Sequence, residues 1–327
     1  MKAAVFKHYG SPEEVVIEER PMPTIGAHDI LIQVVATVVN SGDWRIRSLS
    51  VPRGFGPMLR LYFGLCKPRK QILGSELAGR VTAIGQQVSQ FKVGDDVIAF
   101  SGVRLGAHAE YIALPEDAPI IPKPERLDWH QAAAFCFGGT TALDFLCHKG
   151  GLEAGERVLI NGASGTVGTA AIQIAKHYGA HVTAVCSAEG DALVRSIGAD
   201  EVIDYRRADF TESAEQWNII MDIVGNAPWS RSKASLKPKG RLLMIVADLR
   251  NTLLASFHKD AEGRQAIAGT AREHRDDLKT LAKLVDTNEY WPIVHKVYDF
   301  NDIRAAHEMF DQGGKHGSLV IRLCEMK

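Results

Sequence analysis

The stretch Gly162-Ala163-Ser164-Gly165-Thr166-Val167-Gly168 constrains this chain more than any other, because of what flanks it. Before it runs Arg157-Val158-Leu159-Ile160, a β-branched and aliphatic run that predicts a buried strand. After it, Thr169 to Tyr178 carries Ala170, Ala171, Ile174 and Ala175, a mostly small apolar helical face. Strand, tight glycine turn and helix form the context in which a backbone closes on a pyrophosphate. The glycines permit the approach, and the helix N-terminus offers free N–H groups and a positive dipole end. An ordinary strand-to-helix turn is the plainer alternative, and two glycines three apart would not by themselves exclude it. With these flanks, Ser164, Gly165, Thr166, Val167 and Gly168 are the first candidate cofactor contacts.

At 327 residues the chain exceeds one typical core, so two domains are expected. A formal net charge of −1 gives no global basic field for nucleic acid or an anionic membrane. The cysteines, Cys66, Cys136, Cys147, Cys186 and Cys324, are scattered without a C-x-x-C pair. They are expected to be reduced thiols, which places the protein in the cytoplasm. The opening residues read as a strand rather than a signal or transit peptide, and no apolar run reaches the about 20 residues that span a bilayer.

The rhythm of the chain changes along its length. Strands are expected at Ile30 to Val39, Gly79 to Ile84 and Asp96 to Phe100, with glycines at 74, 79, 85, 94, 102 and 106 among them, as in a compact β-domain. Ile120-Ile121-Pro122-Lys123-Pro124 is expected to break regular structure and mark a boundary. From Trp129 onward helices and strands alternate. A helix is expected over Gln131 to His148, then strands at 157–161, His181 to Cys186, Glu201 to Asp204, Trp217 to Asp222 and Gly240 to Val246, which together imply a doubly wound parallel sheet. Helices at Arg272 to Asp286 and Asp302 to Gln312 and a strand at Ser318 to Leu323 close the chain. Pattern alone allows this tail either to extend the second domain or to return to the first.

Several motifs resemble the medium-chain dehydrogenase/reductase superfamily, and within it the zinc-free quinone oxidoreductase branch. They are Met1-Lys2-Ala3-Ala4-Val5 with Tyr9-Gly10, Gly74-Ser75-Glu76 with Gly79, Gly85 and Val88, Val93-Gly94-Asp95-Asp96-Val97, Gly155-Glu156 through Gln173 and Lys176, Gly198-Ala199-Asp200, and Gly313 with Gly317. Thr166 stands where the family more commonly has glycine. The resemblance implies an α/β protein: a GroES-like β-rich catalytic domain over residues 1–125, a Rossmann NADP-binding domain over 126–271, and a C-terminal return to the catalytic domain over 272–327. It also implies a homodimer.

Zinc relatives carry a cysteine, a histidine and usually a second cysteine around the reacting carbonyl. The first two positions correspond here to Asn40 and Ser75, and Cys136 falls one residue early, with Phe137 at the expected place. A hydroxyl, an amide and a misplaced thiol do not make a tetrahedral zinc site. Without a Lewis acid, a quinone or an enone attacked at its β-carbon is a better hydride acceptor than a plain ketone.

The second strand of the doubly wound sheet ends Ala184-Val185-Cys186-Ser187, and Ser187 carries no charge. A carboxylate there would select NAD by bonding the ribose 2′-hydroxyl. Tyr205 matches the tyrosine that relatives place against a 2′-phosphate, so NADPH is the expected cofactor. Glu189 counts against it, since relatives often have a basic residue near that point. The resemblance places Thr141 beside the nicotinamide amide, although a helix threonine can equally bond its own backbone. Val224, Gly225, Val246 and Ala247 fall at the carboxyl ends of strands, where open α/β sheets bind ligands. On the substrate side, Asn40 is placed to orient a carbonyl. Asp43 either supports a hydroxyl network or caps a turn. Trp44 and Ile46 leave no tyrosine to donate a proton, so water is the expected source, with Tyr62 a weaker candidate. The apolar stretch Gly54 to Lys70 is expected to wall the cleft, a subunit contact or membrane patch being the alternatives. The function expected is reduction of a quinone or α,β-unsaturated carbonyl by NADPH. Alternatives are an enoyl-thioester reductase and a low-turnover NADPH-binding structural or interaction protein.

Overall fold

The computed structural model of the protein describes residues 1–325. Its first part is a β-domain. β1 (Lys2–Phe6) and β2 (Val15–Glu19) pair antiparallel. The larger sheet is built on β3 (Asp29–Val39), flanked by β4 (Glu76–Ile84), then β5 (Asp96–Phe100), with β6 (Tyr111–Pro115) also pairing to β3. The near-continuous apolar run of β3, interrupted by Gln33 and Thr37, alternates in burial at first and is buried on both faces from Val34 onward. Ile30, Ile32 and Val34 pack in the β-domain core with Leu77, Val97 and Leu114. Ala36 and Val38 belong instead to a core shared with the second domain.

Two helices interrupt this region, α1 (Ser41–Ser48) and α2 (Gly56–Phe63), neither legible as apolar periodicity. The expected break at residues 120–124 is instead a short strand, β7 (Ile120–Pro122), antiparallel to β5. It lies at the edge of the sheet and places Pro122 at its last position, where a missing N–H costs no ladder bond.

The second domain opens on α3 (Trp129–Ala133) and α4 (Cys136–Leu143), which runs into a π-helical turn at Asp144–Lys149. One continuous helix over Gln131 to His148 was the expectation. It is cut at Ala134 and Phe135 because the buried Glu76 carboxylate accepts the N–H groups of Cys136 (3.0 Å) and Phe137 (2.8 Å), supplying a new helix start. β8 (Arg157–Asn161), α5 (Thr166–His177), β9 (His181–Cys186), α6 (Asp191–Ser196), β10 (Glu201–Asp204), β11 (Trp217–Asp222), α7 (Trp229–Ser232), β12 (Leu236–Met244), α8 (Leu249–Leu254) and β13 (Gln265–Ala268) follow. Their strands form one parallel sheet in the order β10-β9-β8-β11-β12-β13, the doubly wound arrangement.

After α9 (Arg275–Asp286) the chain rejoins the first sheet. β14 (Val294–Asp299) runs parallel to β15 (Ser318–Arg322), and β15 pairs antiparallel with β3, Val320 opposite Val38. Between them α10 (Ile303–Gln312) packs near α1, and the fully buried Arg47 binds Asp311 at 2.5 Å and the Gly10 carbonyl at 2.7 Å. Both ends of the described chain therefore lie in the β-domain, leaving a cleft between the two sheets.

Candidate active site

The glycine turn sits between β8 and α5 at the floor of this cleft. A Cβ on Gly168 would lie 2.3 Å from the Gly162 carbonyl and 2.6 Å from Ala163 Cα, so only glycine lets the helix start this close to the turn. Gly165 is the extended N-cap of α5 and offers no capping side chain. Among the described residues, the N–H groups of Thr166, Val167 and Gly168 meet no acceptor. Three free donors at the positive end of a 12-residue helix fit a dinucleotide pyrophosphate.

Two adjoining cavities lie in the cleft, one of them reaching the turn. One, of about 360 Å³, is lined by Asn40, Thr140, Thr141, Gly165, Thr166, Val167 and Val246, with Phe100, Phe137, Phe145 and Phe310 as aromatic walls. The other, of about 620 Å³, is lined by Val224, Gly225, Val246, Ala247 and Asp222 from the parallel sheet and by Trp44, Arg45 and Arg53 across the cleft. Val246 and Arg45 belong to both, so the cavities adjoin. A smaller cavity of about 150 Å³ holds Tyr205 with Asp209, Asn226 and Arg231.

The expected cofactor contacts distribute along this path. Thr141 faces the first cavity, and it is Thr140 whose hydroxyl bonds back to its own helix, at 2.9 Å from the Cys136 carbonyl. Val224, Gly225, Val246 and Ala247 line the second cavity. Ser164 is turned to the C-terminal segment, its carbonyl accepting the Gly317 N–H at 2.9 Å. Ser187 lines none of the three cavities. It lies beside Glu189, which pairs with Arg206 at 2.7 Å, and the Ser187 hydroxyl and the Arg206 guanidinium hold the Glu189 carboxyl down at about 2.

On the opposite wall the two expected substrate residues separate. Asn40 is buried and lines the first cavity, but its amide is spent: Nδ2 donates to Ser75 Oγ at 2.8 Å, while Oδ1 accepts the N–H groups of Gly42 and Asp43. Asp43 does not face either cavity. It is fully buried, its Oδ1 accepting the Gly74 N–H (2.8 Å) and its Oδ2 the Asn40 N–H (3.0 Å), which is the capping alternative rather than a hydroxyl network. Burial pushes its carboxyl up against the pull of His108. Glu76, behind Asn40, is pushed up to about 8, chiefly by desolvation.

These residues do not fit zinc. Asn40 aims an N–H donor, not a lone pair, at Ser75, and the Cys136 thiol is buried with its pKa raised. Among the described residues no three His, Cys, Asp or Glu side chains gather as a ligand set.

The apolar stretch Gly54 to Lys70 does not wall the cleft. It forms α2, which buries Phe63 against Phe6, Ile46, Leu73 and Leu105 while Met58, Leu61, Tyr62 and Leu65 face solvent, and none of its residues lines a described cavity. Two basic residues were missed. Arg45 stands where the two cavities meet, its Nε buried without a partner. Lys315 lines the aromatic cavity. Arg45 sits two residues beyond Asp43 and Lys315 within the Gly313–Gly317 motif, so adjacency to a motif was the signal available.

Comparison with known proteins agrees with this layout. Residues 26–125 match the family model of the alcohol dehydrogenase GroES-like domain, and residues 197–321 that of the zinc-binding dehydrogenase. The chain is 30% identical to the quinone oxidoreductase of Homo sapiens over 338 aligned positions, covering 99% of this chain and 98% of that protein. It is also 30% identical to the mitochondrial NAD(P)H oxidoreductase RTN4IP1 of Homo sapiens, with coverage of 99% and 89%. The solved structure of the quinone oxidoreductase from Coxiella burnetii superposes with a TM-score of 0.87 at 27% identity, over 99% of each chain.

Proposed function

We propose that this chain, which belongs to the quinone oxidoreductase-like branch of the medium-chain dehydrogenase/reductase superfamily, is a zinc-independent reductase that uses NADPH to reduce a quinone or an α,β-unsaturated carbonyl. The observation that carries this reading is the aromatic cavity. Four phenylalanines surround a space of about 360 Å³ that opens on the glycine turn and Thr141, which suits a flat, conjugated acceptor better than a small polar ketone. The bound nicotinamide supplies the hydride. The free N–H groups of Thr166, Val167 and Gly168 hold the pyrophosphate, and Thr141 orients the nicotinamide amide. Val224, Gly225, Val246 and Ala247 line the cofactor path beyond β11 and β12, and on the other side of the turn Tyr205, in the smaller cavity, takes the 2′-phosphate, with Ser187 beside it outside that cavity. Asn40 is rigid, locked by Ser75, Gly42 and Asp43, and acts as a fixed wall against the acceptor. The phenylalanines exclude water and hold the acceptor against the nicotinamide face, so catalysis rests on positioning.

Zinc independence rests on the donor set described above, and is tested by retention of turnover after exhaustive chelation. The reading includes a homodimer and a cytosolic setting. Light scattering tests the first and fractionation of the native host the second. Among the described residues no helix is long and apolar enough to cross a membrane. The decisive experiment is fluorescence titration with NADPH and NADH, followed by turnover with a quinone and an enone. NADPH preference with turnover is expected. Binding without turnover across both acceptor classes would overturn the reductase reading.

A further inference from the structure

We propose that Lys315 is a catalytic residue of this reductase: its ammonium holds the acceptor oxygen in the aromatic cavity and gives it the proton that completes reduction. The proposal rests on the preceding functional reading and adds the proton source, for which water was the expectation.

Lys315 is set by its neighbours. Gly313, Gly314 and Gly317 adopt φ of 75°, 74° and 91°, so the chain turns tightly after α10. The turn is then pinned to the glycine loop. Gly317 bridges to Gly165, its N–H donates to the Ser164 carbonyl at 2.9 Å, and its carbonyl accepts the Thr166 hydroxyl at 3.0 Å. Ser318 Oγ lies 3.3 Å from Thr166 Oγ1. This fixes Lys315 beside the cofactor cradle. Its Nζ rests 4.7 Å from the ring centroid of Phe310, one of the four aromatic walls. Among the described residues the ammonium makes no hydrogen bond or ion pair, and its recorded neighbour is the Phe310 ring.

Of the other polar groups of the cavity, the hydroxyls of Ser41, Thr141 and Thr270 have no partner among the described residues, but none of them carries charge. Asn40, Thr140 and Thr166 have spent their donors on Ser75, the Cys136 carbonyl and the Gly317 carbonyl. Arg45 lends positive charge but does not release its proton near neutral pH. Glu273 lines the cavity and is exposed in part; desolvation raises its carboxyl, but it brings no positive charge, and as a carboxylate it would repel a developing oxyanion. Lys315 alone unites positive charge with a releasable proton. Desolvation pushes its pKa down to about 8, within reach of the working pH. The charged groups around it are Arg45 and Glu273 across the cavity and the imidazoles of His295 and His316 behind.

The step balances. Bound NADPH would supply two electrons as a hydride, to the β-carbon of an enone or to one carbonyl oxygen of a quinone, leaving an enolate or a quinol monoanion as the oxyanion. The Lys315 N–H bond breaks, the O–H bond of the enol or quinol forms, and the neutral amine regains a proton from water.

The test compares wild type, Lys315→Met and Lys315→Arg. For an enone at saturating NADPH, Lys315→Met is expected to lose about 100-fold or more in kcat. Its Kd for NADPH should stay within about twofold, since the free helix N–H groups hold the pyrophosphate. Wild-type activity should fall above pH about 8, while Lys315→Arg, which keeps the charge, should lose that limb and retain part of the rate. Independently of turnover, pH-dependent acylation of the free protein, read by peptide mass spectrometry, should give half-reaction at Lys315 near pH 8. An unchanged kcat in Lys315→Met, a half-reaction near the ordinary lysine value of about 10.4, or a large loss of NADPH affinity with kcat retained would each overturn the proposal. Wild type inactive on every quinone and enone would overturn the reductase reading and this proposal together. An active wild type with an equally active Lys315→Met would overturn this proposal alone.

Discussion

On the proposed NADPH reading, Glu189 would set how the adenosine end of the cleft treats a 2′-phosphate. Its carboxyl, held down at about 2, is ionised at every working pH and neutralises Arg206 beside Tyr205. A phosphate entering there meets a cation already paired and an anion facing it. Glu189→Gln therefore frees Arg206, and the ratio of NADH to NADPH dissociation constants should rise about two- to fivefold at low salt, the scale of an exposed charge pair. Fluorescence titration at low and high ionic strength checks this, because screening should shrink the gain. An unchanged ratio at low salt would remove Arg206 from the phosphate site. Glu76 makes the opposite use of a carboxyl. Burial raises it from 4.5 to about 8, so between those values the native state keeps a proton that the unfolded chain has lost. Stability contributed by this group consequently falls as pH rises from about 4.5 to about 8 and is level above. Urea unfolding of wild type and Glu76→Gln at pH 5, 6.5 and 8 should show wild type losing ground to the variant across that window. Parallel curves would mean that the carboxyl titrates at its ordinary value. The sequence alone singled out Glu189 and quoted Glu76 within a motif, but the burial of Glu76 and its bonds to Cys136 and Phe137 depend on a helix 60 residues away and leave no mark on local pattern.

At the level of elements, legibility followed burial. β8, β9, β10 and β11 fall on their expected residues because each is a short β-branched run bounded by polar or glycine turns. β13 was missed: Gln265-Ala266-Ile267-Ala268 is too short and too alanine-rich to stand out, and it exists because β12 offers an edge. α1 was missed because its capping box, Asn40 with Asp43, precedes a polar helix without an apolar stripe. The helix most firmly written into the chain is α5, and its start is also the most sensitive to change. Gly168→Ala places a methyl carbon within 2.3 Å of the Gly162 carbonyl and must push the turn away from the helix. Destabilisation of about 1–3 kcal/mol is expected from the overpacking, with NADPH affinity reduced about tenfold or more as the N–H groups lose their common aim. Urea unfolding and fluorescence titration measure the two effects separately. Wild-type affinity in the variant would show that the turn tolerates opening and that the pyrophosphate lies elsewhere.

In the whole molecule, the pairing of β15 with β3 could not be read from periodicity, since it joins residues at opposite ends of the chain and either destination buried the tail's apolar residues. The family motifs pointed to the return. The bridge between Gly165 and Gly317 gives that return a consequence. The glycine turn, the proposed cofactor cradle, is bonded on one side to the parallel sheet and on the other to the residue that leads into β15 of the β-domain sheet. A ligand that rigidifies the glycine turn should therefore also rigidify the segment leading into β15. Saturation with NADPH at about 100 times Kd stabilises the whole chain by about 2.7 kcal/mol if only the native state binds. Hydrogen exchange shows where that stabilisation is felt. Slower exchange is expected at residues 162–168 and also at 313–318, through the Gly317 N–H held by Ser164, and at 40–45 across the cleft. Protection confined to the parallel-sheet domain would mean that the bridge opens freely and that the two domains respond to the cofactor as separate bodies. Joint protection would make the C-terminal turn, and Lys315 within it, part of the cofactor site.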